Sequence, residues 1–220
     1  MRSLCVSIFA WEDMGLKPTL IQELCARDRE HLLDGWSGIP ADRLESVIRS
    51  FGLDIKHENL GLREGALDMR RGLVLVNSRL PELCDPRTDL NGVRNSILAH
   101  ELGHWRLHRN LLEAGAPLTQ RHEEQAYIYA EEFLLPRDLL RMRPQIWEMA
   151  RARKKMERMP SDRLWFLVEE IANHFQVTRA SVAFRLERLE LIHRSRGQLG
   201  LSRPGRPAAP AAETGLSCAT

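Results

Sequence analysis

The sequence predicts an α+β fold, mostly helical, in which a small mixed or antiparallel sheet precedes a helical body and a helix-turn-helix-like pair follows it. Three observations carry this. Apolar residues recur at helical spacing in several separate segments, strand-like runs are confined to GALDM and LVLVN around the tight turn RRG, and LVEEIANHFQVTRASVAFRLERLELI reads as two short helices about a turn. At 220 residues, 43% hydrophobic and 28% charged, the chain suffices for one ordinary core with a small appendage.

Each element has its own warrant. A first helix is expected from Pro18 to about Leu33, ended by the breaker string DGWSGIP. Leu44, Val47, Ile48 and Phe51 then share one helical face, and Gly52 is placed to terminate it. LVLVN is apolar enough to be at least half buried. PELCDPRTDLNG is loop by composition, and either Asp89 or Asn91 can cap the helix that follows. Another helix should run from about Thr119 to Leu135 and stop at Pro136. The expected organisation is a helical extension over residues 1–36, a main domain over 37–160, the helix-turn-helix-like unit over 161–193, and a Gly-, Pro- and Ala-rich tail over 194–220 with almost nothing to bury, expected to be disordered.

Composition narrows the function classes. The formal charge is +2, but nine Arg and Lys face four acids between Arg137 and Arg163, while residues 123–132 are acidic. Cys5, Cys25, Cys84 and Cys218 are scattered, which suits free thiols in a reducing cytosol and argues against a cysteine zinc site. Leu4 to Trp11 is apolar but too short and too quickly followed by Glu12 and Asp13 for a secretory signal. No apolar stretch approaches the roughly 20 residues needed to span a bilayer. A cytoplasmic protein is expected.

The chemistry is concentrated in ILAHELGHWRLH, Ile97 to His108. On a helix, His100 and His104 lie one turn apart on one face and can offer nitrogens to one ion. Glu101, about 100° round from His100, is offset from a ligand position and placed to act as a general base. That division, two ligands and one base, is what H-E-x-x-H encodes. A catalytic Zn2+ needs a third protein ligand. In RHEEQAYIYAEEFLLP, Ala126, Ala130, Phe133 and Leu134 mark a buried face, and Glu123, three residues before Ala126, shares it. Because a carboxylate on such a face must be paired or bound to metal, Glu123 is the expected third ligand, with His122 as its rival and Glu124 on the flank. Ala126 and Ala130 are small enough to let the two helices pack closely. His108, a further turn along, can assist the reaction or hold another side chain in place.

These residues carry a resemblance. AHELGHWRLH, followed by E-x-x-A-x-x-x-A-x-x-x-L-L-P from Glu123 to Pro136, resembles the ImmA/IrrE family of metallopeptidases, and the resemblance extends over about Pro40 to Leu191. It implies a zincin-like catalytic domain that cuts a helix-turn-helix repressor and so switches on stress-response or mobile-element genes. It assigns metal ligation to His100, His104 and Glu123 and the base to Glu101. Tyr127 stands where the family usually has Asn, and Tyr129 where it usually has Phe.

A second class of function is also written in the chain. Ile171, Ala172, Phe175, Val177, Val182 and Leu186 have helix-turn-helix spacing, and Arg179, Arg185 and Arg188 are available for phosphates or base edges. The corresponding expectation is a DNA-binding regulator with a sensory or vestigial metal site. Against it, Glu187 and Glu190 dilute the basic face, and a helical pair packed on the main domain has the same pattern. For a peptidase, the expected partner is a protein substrate, a repressor encoded next to this gene. It would be held as an added strand, with LVLVN as the expected sheet edge.

Overall fold

The computed structural model describes residues 17–32, 40–85, 88–195 and 197–202. The string DGWSGIP up to Ile39, the apolar opening run and the tail from residue 203 lie outside the described residues. Among the described residues no helix is long and apolar enough to cross a membrane.

The fold is α+β and mostly helical. Helix α1 (Pro18–Leu32) leads to a 3-10 turn (Pro40–Arg43) and α2 (Leu44–Ser50), where Gly52 takes the left-handed backbone, φ 76°, that ends the helix. Strands β1 (Asp54–Glu58), β2 (Gly65–Asp68) and β3 (Leu73–Asn77) form a mixed sheet in the order β1-β3-β2. β2 and β3 are the expected hairpin, antiparallel with Gly65 opposite Val76 and Asp68 opposite Leu73. β1 runs parallel to β3 and has no apolar alternation, because only part of this edge strand is covered.

LVLVN is therefore the middle strand and not the edge, a correction to the sequence expectation. Four of its five residues are buried, and its backbone pairs on both sides. Its apolar run, which reads as half buried, is that of a strand covered on both faces. A short helix, α3 (Leu80–Leu83), also interrupts the expected loop.

Helix α4 (Leu90–Glu113) is the longest helix among the described residues and is capped by Asp89, whose carboxylate accepts from the backbone N–H groups of Asn91 and Gly92. α5 (Gln120–Leu134) packs along it, and α1 packs against α5. Asp28 of α1, 7% exposed, joins all three helices. It accepts two hydrogen bonds from the Arg106 guanidinium, at 2.7 and 2.6 Å, and one from the Tyr129 hydroxyl at 2.8 Å.

Beyond α6 (Arg137–Arg141) and α7 (Pro144–Lys154), helices α8 (Ser161–Phe175) and α9 (Arg179–Arg188) form the expected helical pair. Gln176, at the turn, adopts the left-handed conformation at φ 54°, and its carbonyl accepts from the Asn95 side chain of α4 at 2.9 Å. The pair is thus tied to the main helix at its turn.

The start of the expected tail is ordered. β4 (Ile192–Ser195) and β5 (Gln198–Leu201) make a hairpin that buries Ile192 and Leu199 against the helical pair. One apolar residue in β4 and two leucines in β5 are too little signal to separate this hairpin from the Gly- and Pro-rich sequence after it.

Candidate metal centre

Two helices make this site, and their separation is set by small residues. A Cβ placed on Gly103 of α4 would lie 2.9 Å from the carbonyl oxygen of Ala126 and 3.1 Å from its Cα. No side chain fits between the axes there, so α4 and α5 approach closely, as Ala126 suggested from sequence. The close approach brings Glu123, one turn before Ala126, against the histidine face of α4.

Three atoms converge as a result. His104 Nε2 lies 3.0 Å from His100 Nε2 and 3.3 Å from Glu123 Oε2, and His100 Nε2 lies 3.1 Å from that oxygen. His100, His104 and Glu123 are the group of side chains that could hold a metal ion. The chemistry of the set fits: two imidazoles and a carboxylate offer lone pairs to one point. Their spacing is close to the roughly 3.3 Å edge of a tetrahedron with bonds of about 2.0–2.1 Å. The imidazoles beside it, His100 first and then His104, hold the Glu123 carboxyl well below the usual carboxylate range.

Glu101 sits beside this cluster and is 7% exposed. Burial pushes its carboxyl up to about 7, with nearby Glu123 adding to the rise and His104 opposing it. An acid poised near neutrality can take up and return a proton at the pH of a cell.

The wall beside Glu101 is β2. A Cβ on Gly65 would fall 2.3 Å from Ile97 Cγ2 and 3.3 Å from Glu101 Oε1. The first residue of the strand is thus glycine because the backbone lies directly on the α4 face. Asn77, 1% exposed, fixes the loop that leads into it by donating to the carbonyls of Gly61 at 3.0 Å and Arg63 at 2.6 Å. Neither residue was singled out as a site residue from sequence, since a glycine and an asparagine at strand ends carry no chemistry of their own.

The remaining candidates separate cleanly. His122 does not join the cluster: its Nδ1 accepts from the Thr119 backbone N–H at 3.0 Å and caps α5. His108 lies behind the site, with Nδ1 at 3.1 Å from His104 Nδ1 and Nε2 at 2.9 Å from Gln125 Oε1. Burial lowers its ring to about 4. Tyr129 is buried on Asp28, away from the cluster. Tyr127, one turn after Glu123, is half exposed and places its ring centroid 4.2 Å from that of His100, at the rim of the site.

The three arginines of α9 each lie beside a carboxylate, and one of them is buried. Arg185, 2% exposed, forms a bidentate pair with Glu132 of α5, and its Nε donates to the Leu135 carbonyl at 3.2 Å. Arg188 pairs with Glu131, and Arg179 lies 3.7 Å from Glu169. Arg194 of the hairpin packs over Phe184 and donates to Glu187, covering part of α9. The expectation that Arg185 is available to DNA is corrected, because an apolar helix face and a buried guanidinium share the same spacing.

Fold and site together have the character of a metallopeptidase. Residues 91–187, somewhat under half of the chain, match the family model Peptidase_M78, described as an IrrE N-terminal-like domain, and over this segment the chain is similar to the ImmA/IrrE metallopeptidases. No curated protein gives a significant match. A solved structure titled "Mycobacterium tuberculosis transcriptional regulator" is similar at 16% identity and a TM-score of 0.48, over 81% of this chain and 48% of that one. The chain thus spans about half the length of that structure.

Proposed function

We propose that this chain is a zinc-dependent endopeptidase that cleaves one dedicated protein, a helix-turn-helix repressor encoded beside it, and so releases stress-response or mobile-element genes. The single observation that carries the reading is the convergence of His100, His104 and Glu123 within 3.3 Å of one another, next to the buried Glu101. His100, His104 and Glu123 would hold the ion. A zinc ion there supplies Lewis acidity, making water nucleophilic near neutral pH and polarising a carbonyl. Glu101 takes the proton of the attacking water and returns it to the departing amide nitrogen. A cation among the ligands favours the ionised form of Glu101, the form that accepts a proton.

Substrate is held along β2, which replaces LVLVN as the proposed edge. Among the described residues β2 pairs on one side only, and it borders Glu101 through Gly65. An extended peptide added there runs past the cluster, with backbone pairing giving affinity and little selectivity. Choice of substrate then rests on docking elsewhere. The regulator alternative is weakened by the engagement of Arg185 and Arg188 with α5, which leaves the second helix of the pair short of free cations for phosphate.

The test is co-expression of the chain, as wild type and as Glu101→Gln, with the product of the neighbouring gene, followed by mass spectrometry. A single cut seen with wild type and lost with Glu101→Gln is expected. Degradation of unrelated unfolded proteins at a comparable rate contradicts the dedicated partner.

A further inference from the structure

The second nitrogens of the two histidines have different surroundings. His100 Nδ1 is buried without a hydrogen-bond partner among the described residues. His104 Nδ1 is the start of a chain: it meets His108 Nδ1 at 3.1 Å, and His108 Nε2 meets Gln125 Oε1 at 2.9 Å. His104, His108 and Gln125 are 4%, 3% and 6% exposed, so solvent does not compete for these atoms.

Hydrogen-bond polarity follows from the far end. An amide oxygen only accepts, so His108 must carry its proton on Nε2. The Nδ1 of that neutral ring is then an acceptor, and His104 must donate to it from Nδ1. His104 Nε2 is left with its lone pair, and in the metal-free chain the donor at this corner is His100 Nε2, 3.0 Å from His104 Nε2 and 3.1 Å from Glu123 Oε2. If Gln125 presented its NH2 group instead, every donor would reverse and His104 Nε2 would carry a proton, which cannot bind a cation.

We infer that Gln125, acting through His108, sets the tautomer of His104 and with it the capacity of the three-residue cluster to hold a metal ion. Both are positioning residues: neither touches substrate, and each fixes which atom of the next ring bears hydrogen. The inference deepens the zinc reading and rests on it only for the consequence, since the tautomer is a property of the metal-free chain. Partners of this kind, one step behind a ligand, typically change metal affinity by roughly 10- to 100-fold when removed.

The experiment uses full-length protein labelled with 15N in its histidines, stripped of metal, at about pH 8, above the ordinary histidine range. Long-range proton–nitrogen spectra should show His104 protonated at Nδ1 and His108 at Nε2. Gln125→Leu, which removes the acceptor, should mix the tautomers and weaken zinc binding, measured by chelator competition, by roughly 10- to 100-fold. Gln125→Glu, an acceptor only, should keep both the pattern and the affinity. His104 protonated at Nε2 in the wild-type chain overturns the inference, and that measurement needs no variant to fold. So does a folded Gln125→Leu with unchanged tautomers and unchanged zinc affinity. The two readings fail separately: the expected tautomers without any zinc binding refute the metal centre, whereas zinc binding with the reversed tautomers refutes the relay.

Discussion

Gly103 of α4 lies against Ala126 of α5 with no space for a methyl group between them, a Cβ there falling 2.9 Å from the Ala126 carbonyl oxygen. The contact sets how far Glu123 stands from the two histidines. Gly103→Ala gains up to about 1 kcal/mol of helix propensity but overpacks a backbone contact, at a cost of about 1–3 kcal/mol. The expected outcome is a lower urea midpoint together with weaker zinc binding, because α5 must move away from α4. Unchanged zinc affinity would show that the helix spacing does not position Glu123.

The other tight contact acts on the cleft. Gly65→Ala drives a methyl group into Ile97 and toward Glu101, while His100 and His104 turn toward Glu123 of α5. Peptide cleavage should fall by about tenfold or more, as misplacement of a reacting group by an ångström does, with zinc content unchanged. Loss of zinc in this variant would place β2 closer to the ligands than the structure has it.

Arg185 and Glu132 are the buried link between α9 and α5. Removing one partner leaves an uncompensated charge, so Arg185→Met should cost about 3–5 kcal/mol in denaturant unfolding. Arg185→Met combined with Glu132→Leu should recover much of that loss. A double variant no more stable than the single one would mean that the arginine acts through its Leu135 contact instead.

Stability should also fall in acid through Glu45. Its carboxyl is held below the ordinary 4.5 chiefly by the hydrogen bond from Arg94. A folded-state value below the unfolded one gives stabilisation that is complete above about 4.5 and is lost as pH falls through the lowered value. Both side chains are partly exposed, so the effect is small and salt-sensitive. Arg94→Met should flatten this part of the stability profile. An unaltered profile would remove Glu45 as its source.

Much of this was legible in the chain, and for physical reasons. His100, Glu101 and His104 are local: one helix and its period place them, and the Asp89 cap and the GALDM–LVLVN hairpin are local too. Glu123 was reachable because the buried face of its own helix pointed to it. What escaped depends on neighbours that no local pattern encodes. β1 is an edge strand with mixed exposure. LVLVN became the central strand only because β1 pairs with it. Gln125 acquires a role only once α5 lies beside His108, and Arg185 looked free until Glu132 was found against it.

The central claim, a zinc-loaded peptidase centre built from His100, His104 and Glu123 with Glu101 as its base, is tested most directly by elemental analysis of purified variants in parallel with cleavage. Wild type and Glu101→Gln should each hold about one zinc per chain, with cleavage lost only in the second. His104→Ala and Glu123→Ala should lose the metal while remaining folded. Equal metal in wild type, His104→Ala and Glu123→Ala would contradict the account.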